Sequence, residues 1–594
     1  MASPREKERR SHALLQHQVV CSEIELNFGG GFCYSGLDGA SILHAPTWLP
    51  DPGTGKAIYK EYSSIIAHDV FSVVRLASVP AGSNIMHSHI LFDVKMHKDG
   101  SVDRFKARAV AGGDTQSFGV DFNSIFATVV KLHTFRMGLH LAAVRDYNIA
   151  GVDVSTAFLD GDIDCKVYMR MLPGLPKYDS EGHELVCELK KSLYGLRQAP
   201  RIWYEHFLGS LIAFGFRRSD VDPCLFIFDK GVIVMYALLW VDDLILLDND
   251  PTTRNGFVKF LADERKYKLT DRGELTWVLG MRLTRNRPER LLYLDQTLYT
   301  ENACKRFSAY LDASTLRQFD VPAAADLSDF SPDDCPQPDS PEQADMLPFI
   351  AVYFSMIGCL IWLFSGSRPE IGVSTSVLSR FSMNPAKKHF SALVRTFLYL
   401  RSHADRCLTL GGKGPDAEKL SIVTDSSHEE GPSLSGVMII MGSCLVDWFA
   451  RRHKSALRNS TAAEAMANAD GADHGVYMRE LAKEFSVNVQ TTSFYSDNDS
   501  SIKLHKDFYS CKKSKHIIRA IAALRHYVMR RVYNMIHLAG KKNYADLLTK
   551  PLPRDAFERF TTAVLEGRVY FPSVAPTSTA MTMLNDLYEY LTGP

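Results

Sequence analysis

The chain has 594 residues, too many to share one hydrophobic core, so about three or four domains are expected. Lysine plus arginine and aspartate plus glutamate number 68 each, a net charge of zero. That balance excludes a uniformly basic nucleic-acid-binding coat and confines basic surface to local clusters at 104–108, 190–201 and 512–515. With 46% apolar and 23% charged residues, the composition is that of a globular protein. Eleven cysteines without close pairs or metal-ligand spacing argue against a zinc site and a disulfide framework, and suit a reducing compartment.

The opening MASPREKERR is charged and leads into no apolar core, so a secretory signal is not expected. The longest apolar runs, around Leu239 and from Tyr353 to Phe364, are shorter than a bilayer requires or carry carboxylates; no membrane span and no membrane partner are expected. Residues 1–55 show no sustained period and form a divergent or disordered leader. From Lys56, KAIYKEYSSIIAHDVFSVV has apolar residues at helical spacing, and VPAGSNI is a turn signal before a strand.

Leu91 to Ala111 then spells two strands joined through Lys98-Asp99-Gly100. Alternation puts Arg104, Lys106 and Arg108 on one side of the second strand. Three cations there suit a polyphosphate, or simply protect a solvated edge. After a helical stretch from Leu132 to Val144, IAGVDVSTAFLDGDI sets Asp153 in an apolar strand before a small-residue turn. Asp153 is either a helix N-cap or, with Phe158, one wall of a pocket. The stretch from Leu189 to Tyr204 is basic and aromatic, punctuated by Gly195 and Pro200, a mixture able to stack on bases and touch phosphates.

The chain is organised around VIVMYALLWVDDLILL, Val232 to Leu247. It reads as two buried strands folded back at Asp242 and Asp243. Two carboxylates at a half-buried tip are costly unless something positive neutralises them. The pair therefore either holds a divalent metal or caps an ordinary surface hairpin.

The succession RFKARAVAGG, GVDVSTAFLDG with VYMRMLPG, KSLYGLRQAPRIWY and WVDD closely resembles the reverse transcriptase of copia-type LTR retrotransposons. LTWVLGMRL, YLDQTLYTENACKRF, YFSMIGCLIWLFSGSRPEIGVSTSVLSRF and HFSALVRTFLYLRS resemble that family's connecting region, so the likeness runs from about Lys56 to about Phe560. The resemblance implies a polymerase in which Asp153, Asp242 and Asp243 hold two magnesium ions, with manganese as a substitute, since magnesium is a hard ion that prefers oxygen ligands. It assigns Phe158 to exclusion of a ribose 2′ hydroxyl, Lys106 and Arg108 to the triphosphate, and Tyr194, Gly195, Gln198 and Pro200 to the nucleotide and template side.

Further on, LSIVTDSS ends a strand near Asp425, the helix STAAEAMANADGADHGVYMRELAKEF carries Glu464, SFYSDNDSS carries Asp497, and GKKNYADLLTK carries Asp546. Singly these are turn formers, a cap and a solvated helix residue. In this order they resemble a copia-type RNase H domain, which implies a second two-metal site made by the four acids, with His516 of KSKHI on the substrate side. The chain departs from the family at Ala462, where a second Glu is usual, at Trp240 before Val-Asp-Asp, at Asp93 where a basic residue is common, and at Thr128 where Pro is usual.

The expected architecture is multidomain α/β. A right-hand polymerase of fingers and palm with an antiparallel palm sheet covers 56–285. A helical or mixed thumb and connection spans 286–415, with an acidic, Pro-rich linker near 326–348. An RNase H-like α/β domain covers 416–560, and a tail 561–594. The expected function is RNA-directed DNA polymerisation with RNase H cleavage of RNA in RNA/DNA hybrids, as a fragment of a larger Pol polyprotein. Its partners would be an RNA template, a DNA primer strand, the hybrid and dNTPs. The alternative is a catalytically inactive or repurposed transposon-derived nucleic-acid-binding protein. Either is expected to be intracellular, with an active element working in cytoplasmic virus-like particles and reaching the nucleus.

Overall fold

The structure, a computed structural model, describes residues 52–96, 102–125, 127–155, 157–312, 318–427, 433–453, 459–506 and 517–571. Nearly all of the expected leader, the Lys98-Asp99-Gly100 turn, His516 and most of the tail lie outside the described residues. Mixed α/β structure runs throughout, as the motif order implied.

A six-stranded sheet is the centre of the first half. Its order is Lys268–Glu274, Asn148–Ser155, Asp243–Asp248, Val234–Trp240, Leu225–Asp229 and Arg217–Arg218, and every neighbouring pair is antiparallel. The strands Val234–Trp240 and Asp243–Asp248 are apolar and buried almost end to end. Strands buried on both faces need cover on both sides. Helices Leu132–Val144, Ala199–Phe214 and Pro251–Asp263 supply it, sharing one continuous core with the sheet through Phe135, Trp203, Phe207 and Phe257. A smaller core joins helix Pro52–Ala67 through Ile58, Tyr62 and Ile65 to Ala107 and Ala109 of strand Val102–Ala111. That strand pairs antiparallel with Ser88–Met96, on either side of the turn read from the sequence.

The second half holds a five-stranded sheet ordered Cys444–Arg452, Leu434–Met441, Leu420–Ser427, Thr492–Ser496 and Tyr533–His537. The first three strands are antiparallel and the last two join in parallel. Helix Ser460–Glu484 lies against it, capped by Asn459, whose side chain accepts from Ala462 N.

Helix Leu132–Val144 joins the two halves. Ten consecutive residues, Thr134 to Ala143, are buried, the pattern of a helix enclosed on every side. The buried polar residues Thr134, Arg136 and His140 are tolerated there because each is paired. The N–H of Gly411 donates to His140 Nδ1 at 3.0 Å, which leaves Nε2–H to donate to the Ala417 carbonyl at 2.9 Å. Arg136 donates to the carbonyls of Val446 and Gly366 at 2.8 and 3.2 Å and to Asp447 at 2.6 Å. Arg145 forks onto Glu418 at 2.7 and 2.8 Å.

Two expectations need correction. The acidic, Pro-rich stretch near 326–348 is not a free linker, because its turn formers act as helix caps. Ser331 and Asp334 close a reciprocal cap on a short 3-10 turn, Ser340 caps the helix Pro341–Gly366, and Leu327, Phe330 and Met346 are buried. That same helix has 26 residues and is, by length and composition, apolar enough to cross a membrane, with a third of its most apolar window buried. The run that seemed too short is extended at its N-terminal end by the segment taken for a linker. Its inward side packs in the core, where Tyr353 donates to the Leu378 carbonyl at 2.8 Å.

Candidate active sites

The hairpin around the acidic pair forms as its sequence dictates. Trp240 pairs with Asp243 across it, which leaves Val241 and Asp242 at the tip. Val241 adopts φ 55°, a costly conformation for a β-branched residue. It is held there by the Trp203 indole, which donates to the Val241 carbonyl at 2.7 Å, and by Val154 N–H, which donates to the Asp242 carbonyl at 2.9 Å. Asp153 lies inside strand Asn148–Ser155, not at a helix cap, and stands directly across from Asp243. Register thus brings the three acids of the first set to one end of the sheet.

Their charges are poorly compensated. Burial pushes the Asp242 carboxyl above its ordinary range; Asp153 adds to this while Lys106 and Arg108 oppose it. Asp243 is likewise raised, first by burial, with Asp242 and Asp153 adding and Arg272 opposing. Arg272, from the neighbouring strand Lys268–Glu274, was not singled out in the sequence. Its Nη2 lies 2.8 Å from Asp153 Oδ1 and 2.9 Å from Asp243 Oδ1. It gave no sequence signal beyond a basic residue in a DRG turn.

The surrounding residues fall into two groups. Lys106 and Arg108 bear on Asp242, and the Arg108 guanidinium lies 5.2 Å from the Tyr194 ring centre. Tyr194 in turn meets Phe158 edge-on at 5.1 Å. Lys106 stands opposite Asp93 across the strand pair, so the acid at that unusual position faces one of the cations. Gly195 has φ +91°, and a Cβ on it would sit 2.1 Å from the Ala111 carbonyl oxygen; only glycine lets the two loops approach so closely. Gln198 is fully buried. Its amide nitrogen donates to the Asp121 carbonyl at 2.8 Å and its oxygen accepts from Gln116 at 3.0 Å. Pro200 sits in the first turn of helix Ala199–Phe214. Those two residues build the loop's foundation.

The second set also converges. Carboxylate oxygens of Asp425, Asp497 and Asp546 lie within 4.8 Å of one another. Asp425 comes from the middle strand, Asp497 follows strand Thr492–Ser496, and Asp546 sits on a short 3-10 turn. Glu464 Oε1 accepts from the Ser426 hydroxyl at 2.9 Å, and its buried Oε2 has no partner among the described residues. Burial, reinforced by Asp497, lifts Glu464 to about 7. Burial likewise raises Asp425, opposed by Lys550 and reinforced by Asp546 and Glu464. Lys550 Nζ bridges Asp425 and Asp546 at 3.2 and 2.7 Å, and the Thr549 hydroxyl donates to Asp425. Lys550 was not anticipated, although its spacing of four from Asp546 is a recognisable ion-pair signal. Ala462, at the family's other acidic position, packs in an apolar cluster with Leu504 and Ile521. A carboxylate there would be buried among hydrocarbons.

Each cluster combines hard oxygen donors with surplus negative charge, and the second also has an orphaned buried carboxylate oxygen. That donor set fits magnesium. The first cluster lies within residues 69–310, which match the family described as reverse transcriptase (RNA-dependent DNA polymerase). This region is a reverse transcriptase domain.

The chain as a whole is a relative of copia-type transposon Pol polyproteins. It is 29% identical over 514 residues to the retrovirus-related Pol polyprotein from transposon TNT 1-94 of Nicotiana tabacum, covering 85% of this chain and 37% of that protein. It is 29% identical over 530 residues to the corresponding polyprotein from transposon RE1 of Arabidopsis thaliana, covering 88% and 34%. The chain therefore spans little more than a third of the length of these relatives. Among solved structures, the N-terminal RNase H domain of a Mycobacterium tuberculosis protein, fused to maltose binding protein, covers 24% of this chain and 97% of its own at 16% identity and a TM-score of 0.19.

Proposed function

We propose that the chain is an RNA-directed DNA polymerase of a copia-type retrotransposon, with a second site that cleaves the RNA of RNA/DNA hybrids. The observation that carries the polymerase reading is the register of Asp153 against Asp243, with Asp242 at the adjoining tip and Lys106 and Arg108 acting on it from strand Val102–Ala111. In this reading the six-stranded sheet is the palm and the strands at 88–111 belong to the fingers.

Asp153, Asp242 and Asp243 would hold magnesium at the first site, and Asp425, Glu464, Asp497 and Asp546 at the second, two ions in each. Bound magnesium supplies Lewis acidity and a lowered pKa for the attacking hydroxyl or water. Lys106 and Arg108 bind the triphosphate, Lys106 as a point charge and Arg108 as a fork whose plane is steadied against Tyr194. Phe158, wedged on Tyr194, sits under the incoming sugar and excludes a 2′ hydroxyl. At the second site Glu464, raised to about 7, is able to hold or release a proton near neutrality.

Primer extension on an RNA template with magnesium tests the first site: wild type should extend and Asp242→Asn should not. Equal extension by both would overturn the assignment. RNase H cleavage should be lost in Asp497→Asn and kept in Asp153→Asn, which separates the two sites.

A further inference from the structure

A third cluster, sharing no residue with either acidic site, lies where helix Leu132–Val144 meets the second sheet. Asp447 projects from strand Cys444–Arg452. Its Oδ1 accepts from Arg136 at 2.6 Å. Its Oδ2 lies 2.6 Å from His474 Nε2, on helix Ser460–Glu484, and 3.6 Å from His133 Nδ1. Donor atoms of His133, Asp447 and His474 all fall within 4.8 Å of one another.

A plain ion-pair network does not account for His133. Arg136 already matches the Asp447 charge, and His474 already satisfies the second oxygen. At 3.6 Å, His133 is too far for a hydrogen bond. Two imidazole nitrogens and one carboxylate oxygen match zinc and its neighbours and not magnesium, which wants oxygen alone. The remaining carboxylate oxygen is fixed by Arg136, an outer partner of the kind that orients metal ligands.

We infer that His133, Asp447 and His474 form a three-ligand site for zinc or a similar transition metal, stapling the reverse transcriptase domain to the second sheet. The two histidine side chains are 19% and 21% exposed, so the fourth position opens to water. A hydroxide or other anion there offsets the ion's charge beside Arg136. Binding expels the proton that His474 Nε2 shares with Asp447. The cysteine spacing that argued against zinc is silent about this site, which uses no cysteine and joins a ligand of the first half to two from consecutive elements of the second.

Cobalt(II) alone, added to the chelator-stripped full chain, tests the inference. One equivalent should give the intense visible absorption of four-coordinate cobalt, which six-coordinate carboxylate sites do not give, and zinc should bleach it. His133→Gln and His474→Gln should each lose the band, while Asp153→Asn and Asp425→Asn should keep it. Zinc should also raise the melting temperature of wild type but of neither histidine variant. Absence of the band in wild type, its persistence in both histidine variants, or its loss in Asp153→Asn would overturn the site.

Discussion

Removing Arg272 should tighten metal binding at the first acidic cluster while weakening the metal-free protein. The Arg272 guanidinium touches Asp153 at 2.8 Å and Asp243 at 2.9 Å, the two acids that register brings together. The Arg272 side chain is 38% exposed, so solvent screens each contact to the surface-pair value of about 0.2–1 kcal/mol. Two contacts are worth roughly 0.4–2 kcal/mol in the absence of metal. A magnesium ion entering between the same carboxylates must displace the guanidinium. Linkage then requires the wild type to lose that free energy from its metal affinity, a factor of roughly 2–30. The measurement is magnesium-dependent thermal stabilisation in an Asp425→Asn, Asp497→Asn background, which silences the second site. Arg272→Ala should melt a few degrees lower than its parent in chelator, by roughly 2–4 °C per kcal/mol, and should reach half-maximal stabilisation at lower magnesium. An unchanged or higher magnesium midpoint would refute the idea that Arg272 competes with metal.

Glu464 makes stability depend on pH. Its folded carboxyl is raised to about 7 from an ordinary 4.5, so its protonation favours the folded state fully below about 4.5, and that contribution is lost as pH rises through 7. The difference is roughly 3 kcal/mol at 1.36 kcal/mol per unit. Denaturant midpoints in chelator from pH 5 to 8 should fall in wild type and flatten in Glu464→Gln; equal slopes would remove Glu464 as the cause. Gly195→Ala drives a Cβ to 2.1 Å from the Ala111 carbonyl at φ +91°, and should cost at least about 1–3 kcal/mol of unfolding free energy; an unchanged denaturation midpoint would mean the two loops do not approach so closely. Val241→Asn relieves a β-branched residue at φ 55° and should raise unfolding free energy by about 1 kcal/mol, while a lower melting temperature would show that the tip is unstrained.

What the sequence made legible was what local periodicity encodes. The apolar runs on either side of Asp242 and Asp243 could only be buried strands, and the hairpin followed. Asp153 was ambiguous because an acid before a small-residue turn suits both a cap and a strand; its pairing with Asp243, set by register across 89 intervening positions, decides it. The stretch near 326–348 was misread because Asp, Ser and Pro favour caps and linkers equally, and only the burial of Leu327, Phe330 and Met346 separates the two. Helix Leu132–Val144 was readable as a helix but not as a joint. The partners of Arg136 and His140 lie hundreds of residues downstream, and no local pattern announces them.

Long-range pairing also explains why the two acidic sites look alike. Each gathers carboxylates at the end of a buried sheet, where their charges repel, and each has a cation in direct contact with two of them: Arg272 from the next strand, Lys550 from one turn beyond Asp546. Such a cation lowers the cost of assembling the acids before any metal arrives, because a buried carboxylate cluster with nothing positive beside it would protonate or disrupt the fold. The two devices differ in depth. Asp425 is fully buried where the Asp153 side chain is 29% exposed, so the same function of charge support is worth more at the second site. Replacing Lys550 by methionine should therefore destabilise the metal-free chain more than replacing Arg272 by alanine, and calorimetry of the two variants in chelator would reverse this ranking only if burial of Asp425 were not the governing term.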